Sequence, residues 1–277
     1  MNSALNIIKI ILLSIIAIAL ILILIFLLNG KLNIKGFTLY EKTELIYEET
    51  FEGDINSLKV LTTYNDVRIE EDDQEKINIK VYDRKDAKPE VYVENNTLNI
   101  VNESDKKIGF SFGIMGNSKI VITVPKTSNY SLNVEGTSSD IDALIDLDNV
   151  KINTKSGDIN LKDSITSIVK TTSGDIKLGD VSKNLEATAT SGDISVGEVN
   201  GKLVIATTSG DVSINKLNLT SNSSIKVTSG DVTIGKTNDI YIDAKVTSGD
   251  SKINVNNRHA AYELKINTKS GDIIVNN

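Results

Sequence analysis

The sequence predicts an all-β chain, a β-solenoid or β-helix-like stack of strand–turn–strand repeats about 18 residues long, preceded by one N-terminal transmembrane helix. Three observations predict it. A phrase, Ser-Gly-Asp followed by Ile or Val, returns along the C-terminal half of the chain. Apolar and polar residues alternate on both sides of that phrase. Near the N terminus, residues 10–28 form an apolar run of nineteen whose single polar member is Ser14.

The repeat comes first because it organises the rest. Ser156-Gly157-Asp158-Ile159 is the first full copy and Ser270-Gly271-Asp272-Ile273 the last. A degenerate copy, Ser138-Ser139-Asp140-Ile141, precedes them, and Ser248-Gly249-Asp250-Ser251 ends on Ser where the others carry Ile or Val. The aspartates are Asp140, Asp158, Asp175, Asp193, Asp211, Asp231, Asp250 and Asp272, separated by 18, 17, 18, 18, 20, 19 and 22 residues. Directly after the aspartates stand Ile141, Ile159, Ile176, Ile194, Val212, Val232, Ser251 and Ile273; two positions further on come Ala143, Leu161, Leu178, Val196, Ile214, Ile234, Ile253 and Val275. Four before each Ser sit Val134, Ile152, Val169, Ala187, Ile205, Ile225, Ala244 and Ile266. Alternation of period two on both flanks of a glycine turn means strand, turn, strand. The glycine supplies the positive φ of a sharp turn, and Ser and Asp bond nearby amides. A constant period and register favour parallel coils about 4.8 Å apart with Ile, Leu and Val stacked inside. An antiparallel sandwich of hairpins is the alternative.

Three regions follow. Residues 1–35 are an anchor and its flank: the apolar run is long enough to cross a bilayer as a helix, and no small-x-small cleavage site follows Leu28. Lys9 lies on one side of the run, and Lys31 and Lys35 on the other, so charge sets no orientation. Residues 36–131 are a diverged β-repeat and capping region. There Tyr64-Asn65-Asp66-Val67 is a turn with Asn where Ser-Gly would stand, and Lys119-Ile120-Val121-Ile122-Thr123-Val124 ends at Pro125. The glycine-spaced apolar segment 108–116 reads as a cap over the first coil rather than as an exposed contact patch. Residues 132–277 are the regular Ser-Gly-Asp solenoid.

Composition narrows the chemistry. A net charge of −7 without a basic stripe argues against nucleic acid as a partner. Absence of Cys excludes a disulfide framework and a thiolate zinc site. His259 is the one histidine, set among turn residues, so it reads as a loop residue and leaves the serines of the phrase without a base. Arg68, Arg84 and Arg258 are the only arginines, too few for the acid-and-arginine wall of a polysaccharide-cleaving β-helix. No catalytic residue, cofactor site or metal site is therefore assigned. The row formed by Asp158, Asp175, Asp193, Asp211 and Asp231 raises weak cation binding as a hypothesis, because stacked carboxylates repel by about 1 kcal/mol per pair in water. A threonine row (Thr172, Thr190, Thr208, Thr228, Thr247) raises ice binding. Lys155 and Lys269 break that row, and threonine is in any case a common strand residue.

The Thr-Ser-Gly-Asp-Ile repeat, the Val121-Ile122-Thr123-Val124-Pro125-Lys126 lead-in and Tyr64-Asn65-Asp66-Val67 together resemble the DUF4097 family of bacterial candidate adhesins over roughly residues 50–277. The resemblance implies a β-solenoid-like fold and an exported or membrane-anchored location, and carries over no catalytic residue. Some members are encoded beside envelope-stress regulators. The expectation is a non-enzymatic, single-pass protein of the cell membrane with its repeat domain outside, acting in adhesion or as a binding scaffold. Its expected partners are the membrane, through the N-terminal helix, and a cell-wall, surface or membrane-protein ligand. An accessory of envelope-stress signalling is the alternative.

Overall fold

A computed structural model describes residues 40–41, 43–103, 114–115, 118–126 and 129–276. The chain divides into two compact units, one of residues 1–42 and 105–116, the other of residues 43–104 and 117–277. In the first, the described residues are two short strands, Tyr40–Glu41 and Ile114–Met115, paired in parallel. The expected membrane helix, and all of segment 108–116 except Ile114–Met115, lie outside the described residues. Among the described residues no helix is long and apolar enough to cross a membrane.

The second unit is built from coils. Each regular coil sends one strand into a first ladder, turns through its Ser-Gly-Asp corner, and sends a second strand into a second ladder. All ladder pairs between Ser-Gly-Asp coils are parallel: Ile159 stands opposite Ile176, Ile176 opposite Ile194, and Ile194 opposite Val212. A hairpin sandwich would pair these strands antiparallel, so the solenoid reading holds. In the central coils a short third side completes the turn, where Val181 pairs with Val199 and Val199 with Leu217.

The core follows from that register. After the aspartate corner, one column runs Ile120, Val67, Ile141, Ile159, Ile176, Ile194, Val212, Val232, Ile273. On the facing wall another runs Ile100, Val60, Val134, Ile152, Val169, Ala187, Ile205, Ile225, Ile266. All of these side chains are buried. At about 1.5–3 kcal/mol for each large aliphatic side chain removed from water, the columns are the main stabilising term. The ladder passes without a break from the diverged segment into the regular repeats, through Tyr130–Glu135, which pairs with Ser57–Thr62 on one side and Leu147–Asn153 on the other.

Two features add detail that the repeat pattern does not give. First, some strands of the diverged segment are covers, not coils. Ile77–Asp83 lies antiparallel on Lys119–Pro125, with Glu44–Phe51 antiparallel on it in turn, and Glu90–Glu94 lies antiparallel on Thr97–Asn102. These strands close the ladders at the N-terminal end, where an open solenoid would expose its core. Second, the coils do not stack in chain order at either end. The coil of residues 57–72 sits between the later strands Thr97–Asn102 and Lys119–Pro125 on one side and the coil of residues 130–143 on the other. At the other end the last coil, residues 263–275, is inserted between residues 223–237 and residues 241–253. The outermost coil is thus 241–253. That explains the departure at Ser251, which ends the column of Ile and Val facing solvent and is exposed.

The corner glycines explain the spacing. From Gly157 to Gly271 they hold φ between +130° and +143° (Gly157, Gly174, Gly192, Gly210, Gly230, Gly249, Gly271). A Cβ on Gly192 would meet the carbonyl oxygen of Gly174 at 2.0 Å, whereas a Cβ on Gly53, also at positive φ, would meet nothing within 4 Å. We expect Gly53→Ala to cost about 1–3 kcal/mol through backbone strain alone. Gly192→Ala adds an irreducible backbone clash and should exceed about 4 kcal/mol, the range of severe substitutions. Urea unfolding of the two variants side by side separates conformation from close approach.

Candidate functional site

The Ser-Gly-Asp edge is a regular polar surface, and its inner corners are each held by three amides. In the repeat at Asp175, the Gly174 amide donates to the carbonyl of Ser191 at 3.0 Å and the Ile176 amide to that of Asp193 at 2.8 Å, both in the next coil. The Asp175 amide points the other way and donates to Oδ1 of Asp158 at 2.8 Å. The same carboxylate–amide bond recurs from coil to coil. Asp140 donates to Asp66, Asp158 to Asp140, Asp193 to Asp175, Asp211 to Asp193 and Asp231 to Asp211. It continues through the inserted coil, from Asp272 to Asp231 and from Asp250 to Asp272. These aspartates therefore act as acceptors that satisfy a turn amide otherwise left without a strand partner. A second, shorter series does the same at the next corner, where Asp180 donates to Asp163 and Glu198 to Asp180. Buried threonines two before the Ser support the turn from within: Thr171 and Thr268 each donate to turn carbonyls.

At the head of the series the electrostatics change. Partial burial, followed by the charges of Asp140 and Asp142, pushes the Asp66 carboxyl above its ordinary range, against the opposing bond from the Asp140 amide. The Asp66 amide has no aspartate before it and donates to the carbonyl of Ser118 at 3.0 Å.

Next to this corner lies a carboxylate that sequence reasoning missed. Asp83 is fully buried at the end of strand Ile77–Asp83. It accepts from the Asn65 side-chain amide at 3.0 Å, the Asn102 side-chain amide at 2.6 Å, the Tyr64 hydroxyl at 3.1 Å, the Ser118 hydroxyl at 3.3 Å and the Arg84 backbone amide at 2.7 Å. Asn65, also fully buried, is the residue that replaces Ser-Gly in the first turn. Burial, then the Asp83 charge, raises the Tyr64 phenol against the opposing pull of Arg84, whose guanidinium lies 5.9 Å from the Tyr64 ring centre. The signal was present in the alternation: residues 77, 79, 81 and 83 share the inward face, and the last of them is charged. Every oxygen of Asp83 is occupied by protein donors, which fits a corner plug better than a reactive centre.

The remaining candidates do not converge. His259 is exposed, with its amide on the Asn257 side chain. Thr172, Thr190 and Thr208 are exposed on the outer face of the first ladder, and four residues earlier on the same strands Ile168, Glu186 and Val204 are in register with one another. Among the described residues no group of three or more His, Cys, Asp or Glu side chains is placed to hold a metal ion.

Two outcomes follow from this geometry. Asp193→Ala removes the acceptor of the Asp211 amide and should cost about 1–2 kcal/mol, while Asp193→Asn keeps an oxygen there and loses less; millimolar calcium should move the melting temperature of neither variant. For Asp66, a raised folded pKa means that its contribution to stability is present at low pH and is lost as pH rises through that pKa. Asp66→Asn should therefore melt at or above the parent at neutral pH, with the difference shrinking on acidification below the ordinary carboxylate range. Thermal melts across pH check this.

Comparison with known proteins places the fold. The Toastrack DUF4097 family model matches residues 55–276. A candidate adhesin from Bacteroides fragilis NCTC 9343 superposes with a TM-score of 0.52 at 15% identity, over 86% of this chain and 100% of that one. A lipid-binding protein candidate from Parabacteroides distasonis ATCC 8503 gives a TM-score of 0.44 at 16% identity, over 84% and 97%. A candidate adhesin from the same organism gives 0.37 at 14%, over 84% and 99%. At such identities the first likeness is one of fold, and no curated protein matches the chain. With its repeat, its parallel coils and a match over most of its length, the chain belongs to the Toastrack DUF4097 family.

Proposed function

We propose that this chain is a non-enzymatic surface protein that binds an envelope or cell-surface polymer through the outer faces of its ladders, tethered to the cell membrane by residues 1–35 with the repeat domain outside. The observation that carries the reading is the evenness of the polar surface. Each corner repeats the same Ser, Gly and Asp in the same bonds, so the solenoid offers a periodic row of equivalent groups. An active site needs a few groups that differ from their surroundings and converge, whereas a polymer with its own repeat gains from a periodic partner through many weak contacts. Membership of a family whose structural neighbour is a candidate adhesin supports the same direction.

The test is cross-linking in living cells with a tagged full-length chain, followed by identification of what is captured. Wall glycan or foreign-cell surface material is the expected capture. Replacing Thr172, Thr190 and Thr208 by Glu should reduce it by roughly tenfold or more, the equivalent of about 1.4 kcal/mol, without lowering the melting temperature. Capture of a membrane sensor alone, unaffected by the wall variant, would overturn the adhesive reading in favour of a regulatory one.

A further inference from the structure

We infer that the two out-of-order coils are locks, which let the domain bear tension applied through its chain ends. The inference goes beyond the adhesive reading and does not depend on it. In a solenoid stacked in chain order, the last coil is held on one face only and peels away from the end. Here the last coil is held on both. Strand Glu263–Ser270 pairs with Ser223–Ser229 on one side and Tyr241–Ser248 on the other. Strand Ile273–Val275 pairs likewise with Val232–Thr237 and with Ser251–Ile253. At the corner the Asp272 amide donates to Asp231 at 2.7 Å, and Asp272 accepts from the Asp250 amide at 2.8 Å.

Burial ranks the coils in the same way. Leu264, Ile266, Ile273 and Val275 in the inserted coil are each 0% exposed. Ala244, Val246 and Ile253 in the outermost coil are only partly buried. Among the described residues that outermost coil has no strand partner except the inserted one. Moving residues 263–275 outward along the stack therefore drives them against residues 241–253, to which they are joined through residues 254–262. The two coils leave together or not at all. Segment 254–262 strengthens the coupling, because the Asn256 side chain both accepts from the Ile242 amide and donates to its carbonyl at 3.0 Å, and the Asn257 amide donates to the Ile240 carbonyl at 3.1 Å.

The N-terminal end repeats the device with a different sequence. Ser57–Thr62 lies between Thr97–Asn102 and Tyr130–Glu135, and Asp66–Asp72 between Lys119–Pro125 and Ile141–Ala143. Leu58, Val60 and Ile69 there are 0% exposed. Ahead of that coil, Glu44–Phe51 is laid antiparallel along Ile77–Asp83, so a pull on residue 43 must shear that pairing before it reaches the coil. Two unrelated sequences thus bury the first and last coils one place in from the ends.

Single-molecule pulling on the full-length chain tests the lock. The sequence has no Cys, so Ser213→Cys and Asn277→Cys give two unique attachment points; Ser213 is exposed in mid-stack. Load then passes only through the C-terminal coils. The expected first event frees both coils at once, lengthening the tether by about 130 Å at the reach of an extended chain. A first event of about 50 Å, the length of the last coil alone, with the next coil still docked, would overturn the inference. Hydrogen exchange on the unaltered full-length chain provides an independent check. Amides of Ile266 and Ile273 should exchange more slowly than those of Ala244 and Ile253, and faster exchange in the last coil, as in ordinary end fraying, would also overturn it.

Discussion

The constraint on which the structure depends is the contact of one turn glycine with the carbonyl of the one before it in the stack. A side chain there is excluded twice, once by a backbone conformation that L residues rarely adopt and once by an oxygen at the distance a Cβ would need. With no Cβ in the way, successive corners close to ladder distance, and the amides of the corner meet acceptors in neighbouring coils. Aspartate completes the arrangement because its own amide falls outside the regular ladder, and the carboxylate below supplies the missing acceptor. The strands then have their register set at one end, and the apolar columns follow from it, since a slip of one residue would turn every Ile and Val outward.

The carboxylate row also shows how a repulsive arrangement is kept. Like charges at coil spacing disfavour each other by about 1 kcal/mol per pair in water, but a charge-assisted bond from an amide to each Oδ1 contributes more than that, about 1.5–3 kcal/mol. The amide bond therefore outweighs the repulsion with no ion between the corners. At Asp66 the balance tips, because partial burial and two neighbouring aspartates act on one carboxyl.

Much of this was legible in the sequence because a solenoid repeats its signal. Eight spaced aspartates, all but Asp250 followed by apolar residues at positions one and three, are consistent with few alternatives, and glycine before seven of them points to the corner. What was not legible was the order of the coils. Ladder partners are interchangeable at the level of sequence: Ser270-Gly271-Asp272 fits on Ser229-Gly230-Asp231 as well as Ser248-Gly249-Asp250 does, so nothing local says which follows. Only Ser251 carried a hint, as an apolar position vacated in one copy, and its meaning depends on that coil being outermost. Which strands of residues 36–131 act as covers was hidden for a related reason. Their alternation is that of any half-buried strand, and pairing direction leaves no mark on it. Asp83 stood on the inward face of its strand in plain view, but its side-chain donors, Tyr64, Asn65, Asn102 and Ser118, lie 18 to 35 residues away in the chain.

The interchangeability that hides the coil order also bears on how such a chain folds correctly. If any corner fits any other, a stack of equal repeats invites misregistered pairing. The end coils break that degeneracy. Ser251 and Ala244 make residues 241–253 the poorest core layer, and therefore the least unfavourable one to leave facing water, while Ile266, Ile273 and Val275 make residues 263–275 one of the better ones to bury. At the other end Asn65, Asn102 and Ser118 converge on Asp83, so another partner coil would leave the buried carboxylate short of these side-chain donors. Specificity in this fold thus sits in its departures from the repeat, at the two ends, while the repeat itself supplies the stability between them.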